Sequence, residues 1–446
     1  MISEIEREKR LNQYFKTIGN ENIERDIRSI FPQISEKAKL YVLGIVPGLI
    51  SFVNWVLDEA LKAGKNRLYF LSRDGYQMYI IAQRMVKQRK LNIECRYLNV
   101  SRYSMRVSGY YLTPDRTLDE ICVGGIDVTC NKILKRGGIS DRECQVVIEE
   151  LGLYERQDDI LNYREVGKLR KELEKSKNIN RFISAYSRNE YPRCVGYLNQ
   201  EGLMKDGKYA IVDSGWIGTL QCSIEKIVKS VKPEINVEGY YFGLYEIPKD
   251  ADERKFHPYY FGPSFGLKNK VLFSNSLFES IVSSEEGMTV GYHLVNDYFS
   301  PIKNESKNPN SAAIAENVRA LNLLLDEIDD FREWSNLSKA TLQSLFSLLM
   351  ANPTNWELEA FGDNEFSDDV IDGCFKKVAA DLTYDQIKNQ RLANKLLILS
   401  GIRKNTIHES AWLEGSVIRC GHNTESSLRH IRLYKYVMYK RKQMRD

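Results

Sequence analysis

The sequence predicts an α/β protein with a central parallel β-sheet, a helical insertion inside that sheet and an all-helical C-terminal region. Helical and strand-like segments alternate between residues 41 and 105, as they do where helices connect parallel strands. Residues 118–203 are mostly charged helical segments without a convincing strand. Strand-like segments resume at Lys208, and beyond a polar, proline-containing stretch at 303–312 the apolar residues again repeat at helical spacing.

These changes of pattern divide the chain into three parts. We expect an N-terminal helical segment at 1–40, a sheet domain at 41–302 with its helical insertion at about 110–204, and a C-terminal helical domain at 313–446. The length of 446 residues agrees with several units, because single hydrophobic cores rarely grow beyond about 250–300 residues.

Composition narrows the class of protein. The formal net charge of +4 argues against a general nucleic-acid-binding protein, so no nucleic-acid partner is expected. The eight cysteines lack the spacing of a metal site or a CxxC motif, and the charged N-terminus lacks the apolar core of a secretory signal. Both observations favour a protein of the reducing cytoplasm.

The segment Leu40–Leu57 is the only one whose composition suggests a membrane span. It carries no formal charge over 18 residues, which is close to the length that crosses a bilayer. It also contains Gly44, Pro47 and Gly48, and from Leu49 onward its apolar residues follow helical spacing. We therefore interpret it as a loop that enters an amphipathic core helix.

Three strand-like runs end in similar polar turns. The run "RLYFL" is followed by Ser72, Arg73, Asp74 and Gly75. The run from Cys95 ends at Ser101 and Arg102, and the run Lys208–Val212 is followed by the seven-residue stretch 213–219. Since ligands of open α/β sheets bind at the carboxyl ends of the strands, these turns are expected to form one site.

The third turn has the composition of a phosphate-binding loop. Gly215 and Gly218 would let the backbone approach an anion closely, and the hydroxyl groups of Ser214 and Thr219 stand just before a helix. A helix N-terminus exposes unpaired N–H groups and a partial positive charge, which favour phosphate. The stretch is therefore a candidate cradle for a single phosphate.

The other two turns would complete a site for a diphosphate. Arg73 and Arg102 carry fork-shaped donors suited to phosphate oxygens, and Arg106 could add a further contact or lie at the surface. Asp213 is unexpected beside phosphates unless it accepts sugar hydroxyls or holds Mg²⁺. The predicted guest is therefore a phosphorylated sugar that carries a diphosphate. The candidate substrate-binding residues are Ser72, Arg73, Gly75, Ser101, Arg102, Arg106, Ser214, Gly215, Trp216, Ile217, Gly218 and Thr219.

The third turn also resembles a known signature. An apolar strand, an acidic residue and Gly-x-x-Gly-Thr entering a helix are similar to the sugar-phosphate motif of type I phosphoribosyltransferases, although those enzymes usually carry two adjacent acids and Asp213 is followed by Ser214. The motifs "FLSRDG", "VSRYSM" and "IVDSGWIGT", with "SLFESIVSSEEGMTVGYH" from Ser276, more closely resemble a branch found in bacterial surface-polysaccharide loci, the phosphoribosyltransferase-fold glycosyltransferases. The resemblance covers roughly residues 40–105 and 205–295.

The resemblance implies a type I phosphoribosyltransferase-like sheet and a specific reaction. Members of the branch move 5-phosphoribofuranose from phosphoribosyl pyrophosphate (PRPP) to a glycan hydroxyl, here expected to belong to a lipid-linked oligosaccharide of O-antigen or capsule biosynthesis, and release pyrophosphate. Mg²⁺ is the implied cofactor. Many relatives are fused to a haloacid-dehalogenase-type phosphatase, but no strand of this chain ends in Asp-x-Asp-x-Thr, so a separate phosphatase polypeptide would remove the 5-phosphate.

Three carboxylates are the candidate catalytic residues. Asp213 would bind the ribose hydroxyls or the metal, and either Asp74 or Glu279 would accept the proton of the acceptor hydroxyl. Glu279 stands in an apolar context, where an unpaired acid is costly. Some of the candidate site residues also have a structural interpretation. Asp74 could cap the next helix, Glu279 could pair with an arginine, and Gly215 and Gly218 could serve only the backbone angles of the turn.

The C-terminal stretch "RHIRLYKYVMYKRKQMRD", residues 429–446, carries seven Lys or Arg against one Asp, with apolar residues between them. Such composition suits an interfacial helix on the anionic inner face of the cytoplasmic membrane. A basic terminal helix packed on its own domain has the same composition. A lipid-linked acceptor would favour the membrane interpretation.

Two other functions remain open at this stage. A haloacid-dehalogenase-type sugar phosphatase would use Asp213 as nucleophile or metal ligand, but the missing Asp-x-Asp motif weakens it. A non-catalytic sensor of sugar phosphates or nucleotides would keep the phosphate cradle and need no base.

Overall fold

The computed structural model describes residues 3–125, 127–305, 308–367, 375–400 and 402–444 of the chain. The main sheet consists of β1 (Arg67–Leu71), β2 (Glu94–Leu98), β3 (Tyr209–Trp216), β4 (Gly239–Leu244) and β5 (Phe256–Phe261). All neighbouring strands are parallel, in the order β2-β1-β3-β4-β5. The predicted α/β class with a parallel sheet is therefore confirmed.

The strand order determines where a ligand can bind. The chain passes from β1 outward to β2 and then returns across β1 to β3, so the direction of winding reverses between β1 and β3. Flavodoxin-like doubly wound sheets share this order, and their ligands bind at the crevice that the reversal opens at the carboxyl ends of the strands. Two of the predicted turns follow these two strands.

Four helices precede the sheet: α1 (Glu4–Ile18), α2 (Glu21–Ile30), α3 (Glu36–Gly44) and α4 (Val46–Lys62). The segment Glu36–Lys62 is long and apolar enough to cross a membrane, but 89% of its most apolar 18 residues are buried inside the protein. The core helix predicted from Leu49 is confirmed. The loop predicted before it is wrong, because residues 40–44 are helical and Pro47 lies in the first turn of α4, where its missing N–H breaks no helical hydrogen bond.

Helices surround the sheet and fill the connection between β2 and β3. Helix α5 (Gly75–Arg89) follows β1, and the long connection contains α6 (Arg102–Gly109), α7 (Thr117–Ile121), α8 (Cys130–Arg136), α9 (Asp141–Glu150), α10 (Tyr163–Leu173) and α11 (Ile179–Gln200). None of the described residues between β2 and β3 forms a strand. Ile133, Val147 and Leu169 belong to a hydrophobic cluster confined to this connection. Helix α12 (Thr219–Val231) then follows β3.

Strand β3 is longer than predicted. The sequence predicts its end at Val212, since Asp213, Ser214 and Gly215 are weak strand formers. In the structure, Asp213 pairs with Tyr241, Gly215 with Gly243, and Trp216 with Leu244 of β4. Gly215 has a φ of 109°, and a Cβ atom there would lie 2.4 Å from the carbonyl oxygen of Gly243. Glycine is therefore needed for this close pairing, and only Ile217 and Gly218 form the turn before α12.

The rest of the chain contains ten helices and two hairpins among the described residues. The elements are α13 (Leu267–Leu272), α14 (Asn275–Ile281), β6 (Thr289–Val295), β7 (Tyr298–Lys303), α15 (Ser311–Glu327), α16 (Arg332–Ser335), α17 (Lys339–Phe346), α18 (Asn355–Phe361), β8 (Glu365–Phe366), β9 (Lys376–Lys377), α19 (Tyr384–Asn389), α20 (Leu392–Leu399), α21 (Leu413–Cys420) and α22 (Thr424–Gln443). The expectation of an all-helical C-terminal region is wrong, because β8 and β9 form an antiparallel hairpin there. Strands of two residues leave no alternating pattern in a sequence.

One large apolar core connects three parts of the chain. The Phe242 ring of β4 lies 5.6 Å from the Phe52 ring of α4 and 5.8 Å from the Phe346 ring of α17. The same cluster of buried side chains includes Tyr14 of α1 and Leu324 of α15. Helices from both ends of the chain therefore cover one face of the sheet.

The C-terminal helix α22 packs on the protein along one side. Its Tyr439 ring stacks on Tyr245 at 5.3 Å, and its Lys442 pairs with Glu246. The other side of α22 remains at the surface, where Leu433 is 47% exposed and Val437 38% exposed. The helix therefore presents basic and apolar side chains outward while it is anchored inward.

Candidate active site

A pocket with a volume of about 190 Å³ lies at the carboxyl ends of β1, β2 and β3. Residues from all three of the turns predicted to form one site line this pocket. The predicted residues that line it are Ser72, Arg73, Asp74, Ser101, Arg102, Asp213, Ser214, Gly215, Trp216, Ile217, Gly218, Thr219 and Glu279. Two predicted residues, Gly75 and Arg106, lie outside its lining.

Asp74 connects the end of β1 with strand β3. Its Oδ2 accepts a hydrogen bond of 2.6 Å from the Ser214 hydroxyl. Asp74 occupies the N-cap position of α5, but its side chain makes no capping hydrogen bond, so the helix-cap interpretation is wrong. Burial raises the pKa of Asp74, while the Ser214 hydroxyl and the charges of Arg73 and Arg102 oppose this rise.

Asp213 lies within strand β3 and is half-buried. Burial raises the pKa of Asp213 to about 7, and the nearby charge of Asp74 contributes to the increase. The backbone N–H groups of Ser214 and Gly215 and the charge of Arg102 act in the opposite direction. Asp213 is therefore far easier to protonate near neutral pH than an exposed aspartate.

Glu279 reaches the same pocket from helix α14. Its Oε1 accepts a hydrogen bond of 2.5 Å from the indole N–H of Trp216. Burial raises the pKa of Glu279 to about 8, and the charge of Asp74 adds to this effect. The Trp216 ring in turn packs against Phe273 at 5.5 Å and against Phe278 at 6.0 Å. Pairing with an arginine was the structural alternative to a role as base, and the hydrogen-bond partner of Glu279 in the structure is the Trp216 indole.

The three acids and two arginines are electrostatically linked. The charge of Asp74 raises the pKa of both Asp213 and Glu279, whereas the charge of Arg102 lowers the pKa of all three acids. Clusters of buried acids with mutually shifted pKa values are typical of sites that move protons or bind cations. The protonation of each carboxyl group in the pocket therefore depends on the charge of its neighbours.

Arg73 and Arg102 are held at the pocket by different parts of the backbone. Arg73 adopts a φ of 71°, which is uncommon for a residue with a side chain, and its backbone N–H donates to the Tyr97 hydroxyl at 2.9 Å. Arg102 is the exposed first residue of α6, directly after β2 and its short loop. The strained backbone of Arg73 is typical of residues at functional sites.

The N-terminus of α12 faces the pocket without a side-chain cap. Gly218 is the cap residue, with a φ of 77°, and it offers no side-chain acceptor to the first N–H groups of the 13-residue helix. A Cβ atom at Gly218 would lie 2.6 Å from the Phe256 ring, so a larger residue does not fit. The uncapped N–H groups and the helix dipole together suit an anion.

The hydroxyl groups of Ser72 and Ser101 serve the backbone. The Ser72 hydroxyl donates to the carbonyl oxygen of Val100 at 2.5 Å and thus ties the end of β1 to the loop after β2. Ser101 caps α6 by accepting from the Ser104 N–H at 2.9 Å, and it donates to the carbonyl oxygen of Thr289 at 2.6 Å. Both residues shape the pocket, and both line it.

Gly75 and Arg106 have structural surroundings outside the pocket. A Cβ atom at Gly75 would lie 3.0 Å from the backbone of Phe70, so glycine permits close packing of α5 on β1. Arg106 lies one turn further along α6, near Tyr110 and Glu120, and burial lowers its pKa. Because a helical turn advances about 5.4 Å, Arg106 lies away from the pocket although it shares a face with Arg102.

Several pocket residues were not predicted from the sequence. Ser283 and Thr289 fall within the segment from Ser276 that was noted only for its resemblance. Residues 308–310 belong to the polar, proline-containing stretch predicted to be a linker, Phe366 belongs to β8, and Phe375 directly precedes β9. These residues carry no motif, and only the folded chain brings them to the strand ends.

Mg²⁺ fits the chemistry of the pocket. Among the described residues, no group of three or more His, Cys, Asp and Glu side chains has the arrangement of a metal site. Mg²⁺ that arrives with a diphosphate needs few protein ligands, since phosphate oxygens and water fill most of its shell. The Asp213 carboxylate is a suitable hard oxygen ligand, and Asp74 places a second carboxyl group in the same pocket, whose charge a bound cation would offset.

The chain matches no protein-family model, and no curated protein is significantly similar to it. Fold and pocket define an α/β protein with a polar crevice at the switch point of its parallel sheet. Within that crevice, two arginines and an uncapped helix N-terminus surround three linked carboxyl groups.

Proposed function

We propose that this protein is a glycosyltransferase that moves 5-phosphoribofuranose from PRPP to a hydroxyl of a lipid-linked glycan and releases pyrophosphate. The observation that carries the proposal is that Arg73, Arg102 and the N-terminus of α12 line one pocket together with the carboxyl groups of Asp74, Asp213 and Glu279. Cationic groups suit the phosphates of PRPP, and carboxyl groups suit its ribose hydroxyls and the proton of an acceptor. Surface-polysaccharide biosynthesis, of O-antigen or capsule, is the proposed context.

The donor would bind with its phosphates on the cationic side of the pocket. The N–H groups at the start of α12, with Ser214 and Thr219 beside them, suit the single 5-phosphate. The two arginines then suit the diphosphate, which carries more charge and benefits most from fork-shaped donors. Asp213 would accept hydrogen bonds from ribose hydroxyls and hold Mg²⁺, which supplies positive charge to the leaving group when it is bound.

The proposed reaction exchanges one bond at C1 of the ribose. The bond between C1 and the diphosphate oxygen breaks, and pyrophosphate leaves with the electron pair of that bond. The acceptor oxygen forms the new bond to C1. Glu279 is the preferred base for the acceptor proton, because its pKa of about 8 lies near the operating pH. Asp74 is hydrogen-bonded to Ser214 and flanked by both arginines, which suits a positioning role.

The finer fold assignment belongs to the same proposal. We propose that residues 41–302 form a type I phosphoribosyltransferase-like domain and residues 313–446 a largely helical C-terminal domain. The parallel sheet and its switch-point crevice support this assignment, as do the motifs at the ends of β1, β2 and β3. A separate phosphatase polypeptide would act on the product, since the 5-phosphate remains after transfer.

The proposed cellular setting is the cytoplasm at the inner face of the membrane. A soluble sugar donor and a lipid-linked acceptor meet there. The exposed basic and apolar side of α22 supports a peripheral membrane contact through residues 429–446, of which the structure describes those up to 444. The anchored inner side of the helix would keep this surface attached to the enzyme.

The test is incubation with PRPP, Mg²⁺ and a panel of glycan acceptors, with pyrophosphate release as the readout. The proposed transferase releases pyrophosphate in an acceptor-dependent manner. A sugar phosphatase would instead release inorganic phosphate without an acceptor, and a sensor would bind PRPP without turnover. Either of the latter results would refute the proposal.

A further inference from the structure

The pocket lining includes a second region whose chemistry differs from that of the phosphate side. We name it the hairpin wall and define it as residues 308–310, residues 365–367 and Phe375. The first range precedes helix α15. The range 365–367 contains β8 and the residue after it, and Phe375 directly precedes β9. The hairpin wall thus comes from parts of the chain outside the parallel sheet.

The charge of the hairpin wall does not suit a phosphate. Among the described residues that line the pocket, Arg73 and Arg102 are the only cations. The hairpin wall itself contributes one ionisable side chain, the acid Glu365, together with asparagine, proline, serine and phenylalanine. The charge of the two arginines therefore favours binding of an anionic donor on their side of the pocket. The hairpin wall is then left for an uncharged molecule.

The hairpin wall is fixed in place by both side-chain atoms of Asn310. Its Nδ2 donates to the carbonyl oxygen of Glu365 at 2.8 Å, and its Oδ1 accepts from the Glu365 N–H at 2.9 Å. Asn364, which precedes the hairpin, donates to the backbone carbonyl of Ser280 at 3.3 Å and to its hydroxyl at 3.2 Å. Since Ser280 adjoins Glu279, the hairpin wall is joined to the proposed base.

The surface of the hairpin wall suits a sugar ring. Phe366 and Phe375 are half-buried, so part of each ring remains accessible in the pocket. Aromatic faces pack well against the C–H faces of sugars, while hydroxyl groups at the ring edge need polar partners. The Ser367 Oγ is a buried atom without a hydrogen-bond partner among the described residues. A sugar hydroxyl bound at the hairpin wall would supply the partner that this oxygen lacks.

We infer that the hairpin wall is the acceptor subsite and binds an uncharged sugar residue, with Phe375 and Phe366 against its ring. This inference rests on the proposed transferase function, because it assigns the acceptor to the same pocket. It makes Phe375 and Ser367 specificity-determining residues. It also explains how an acceptor hydroxyl would be presented on the side of the pocket to which Glu279 is joined.

The experiment measures sugar binding separately from donor binding. The probes are the methyl glycosides of glucose, galactose, mannose and N-acetylglucosamine, observed by saturation-transfer NMR, and PRPP with Mg²⁺, observed by calorimetry. We expect at least one glycoside to bind the wild-type chain, with the strongest transfer to the protons of one ring face. Phe375→Ala should weaken this binding about three- to tenfold, the value of one aromatic contact, and leave PRPP affinity unchanged.

Two further variants control for loss of packing. Phe375→Trp should keep the sugar binding, because it preserves an aromatic face. Phe265→Ala removes a phenylalanine that is 41% exposed and lies outside the pocket lining, and it should leave sugar binding unchanged. If Phe375→Ala melts at a much lower temperature than the wild type, Ser367→Ala replaces it and should weaken the same glycoside severalfold.

The outcomes separate this inference from the proposed function. Two results overturn the acceptor subsite and leave the donor site standing. One is PRPP binding without binding of any glycoside, and the other is equal glycoside binding by the wild type, Phe375→Ala and Ser367→Ala. Glycoside binding that depends on Phe375 in a chain that does not bind PRPP supports a sugar site and refutes the transferase. Equal loss of PRPP and glycoside in Phe375→Ala, with a wild-type melting temperature, also overturns the assignment to separate regions.

Discussion

The indole N–H of Trp216 donates a hydrogen bond of 2.5 Å to the Glu279 carboxylate, which joins the end of β3 to helix α14. Trp216 adopts a φ of 77°, a costly conformation for a bulky residue, and its ring is fixed among phenylalanines. The hydrogen bond stabilises the charged form of Glu279 and lowers its pKa against the effect of burial. Trp216 therefore acts on the proposed base through orientation and through proton affinity.

Replacement of this donor should move the pH dependence of transfer. Trp216→Phe keeps an aromatic ring but removes the N–H, so the pKa of Glu279 should rise and the acidic limb of the rate profile should move upward by roughly one pH unit. The measurement is pyrophosphate release against pH. Trp55→Phe, at a half-buried tryptophan outside the pocket lining, is the matched control. An unchanged profile, or the same shift in both variants, would contradict the role of the hydrogen bond.

The buried acids should make the protein less stable at alkaline pH. The folded-state pKa of Glu279 is about 8, above its ordinary value of 4.5, so the folded chain holds a proton that the unfolded chain loses first. This contribution to stability is complete below about pH 4 and is lost as pH rises through about 8. The free energy of unfolding should therefore fall between about pH 5.5 and pH 8.5, and Glu279→Gln should reduce that fall by about 1–3 kcal/mol.

Urea unfolding at the two pH values measures this effect. The exposed Glu8 provides the matched control, because Glu8→Gln removes a carboxylate from the surface. If the free energy of unfolding of Glu279→Gln depends on pH as that of the wild type does, burial of the charged Glu279 carboxylate does not destabilise the fold.

Asp213 should be essential for transfer but not for folding. Asp213→Asn preserves the shape of the side chain and its place in β3, and it removes the negative charge that would receive ribose hydroxyls and Mg²⁺. We expect pyrophosphate release to fall at least about a hundredfold, the scale of a lost catalytic group. The surface variant Asp385→Asn is the control, since its partner Lys388 forms an exposed pair of little value. Near-normal turnover of Asp213→Asn would remove this residue from the mechanism.

Arg73 and Arg102 should each contribute to donor affinity. Loss of one charge-assisted hydrogen bond weakens binding by about 1.5–3 kcal/mol, which calorimetry with PRPP and Mg²⁺ resolves easily. Arg102→Ala is suitable, but Arg73→Asn is preferable to alanine, because asparagine tolerates the positive φ at this position. Arg84→Ala, in a surface pair with Asp326, serves as control. Unchanged affinity in both pocket variants would exclude them from the donor site.

The exposed side of α22 should hold the enzyme on anionic membranes. Deletion of residues 429–446 is a poor test, because it also removes the Tyr439 ring from Tyr245. The double variant Leu433→Ser with Val437→Ser changes only the exposed side, and it should reduce sedimentation with phosphatidylserine vesicles. High salt should have a similar effect, since each basic residue near the surface contributes about 1 kcal/mol.

The control for the membrane prediction is Ile5→Ser, which removes an apolar side chain that is 68% exposed at the other end of the chain. Vesicle binding that survives the double variant would assign α22 a packing role alone. Transfer to a short soluble acceptor should be the same in all of these variants.

The sequence predicted the centre of the pocket better than its rim. Arg73, Arg102 and Asp213 could be joined in advance, because the carboxyl ends of parallel strands share one edge of a sheet. The continuation of β3 through Gly215 could not be predicted, since it depends on close pairing with Gly243. Nothing in the sequence around Gly243 indicates that pairing. Phe375 and the hairpin wall likewise depend on contacts between distant segments, and their two-residue strands are too short to leave a periodic signal.

The contact between Phe346 of α17 and Phe242 of β4 has a genetic consequence. A premature stop codon anywhere between residue 313 and α17 would uncover the face of the sheet on which Phe242 lies. The shortened chain would expose a large apolar surface, which favours aggregation and degradation by cellular proteases. Nonsense mutations between residue 313 and α17 should therefore behave as null alleles, with the polypeptide lost from the cell, and not as alleles that lack one separable activity.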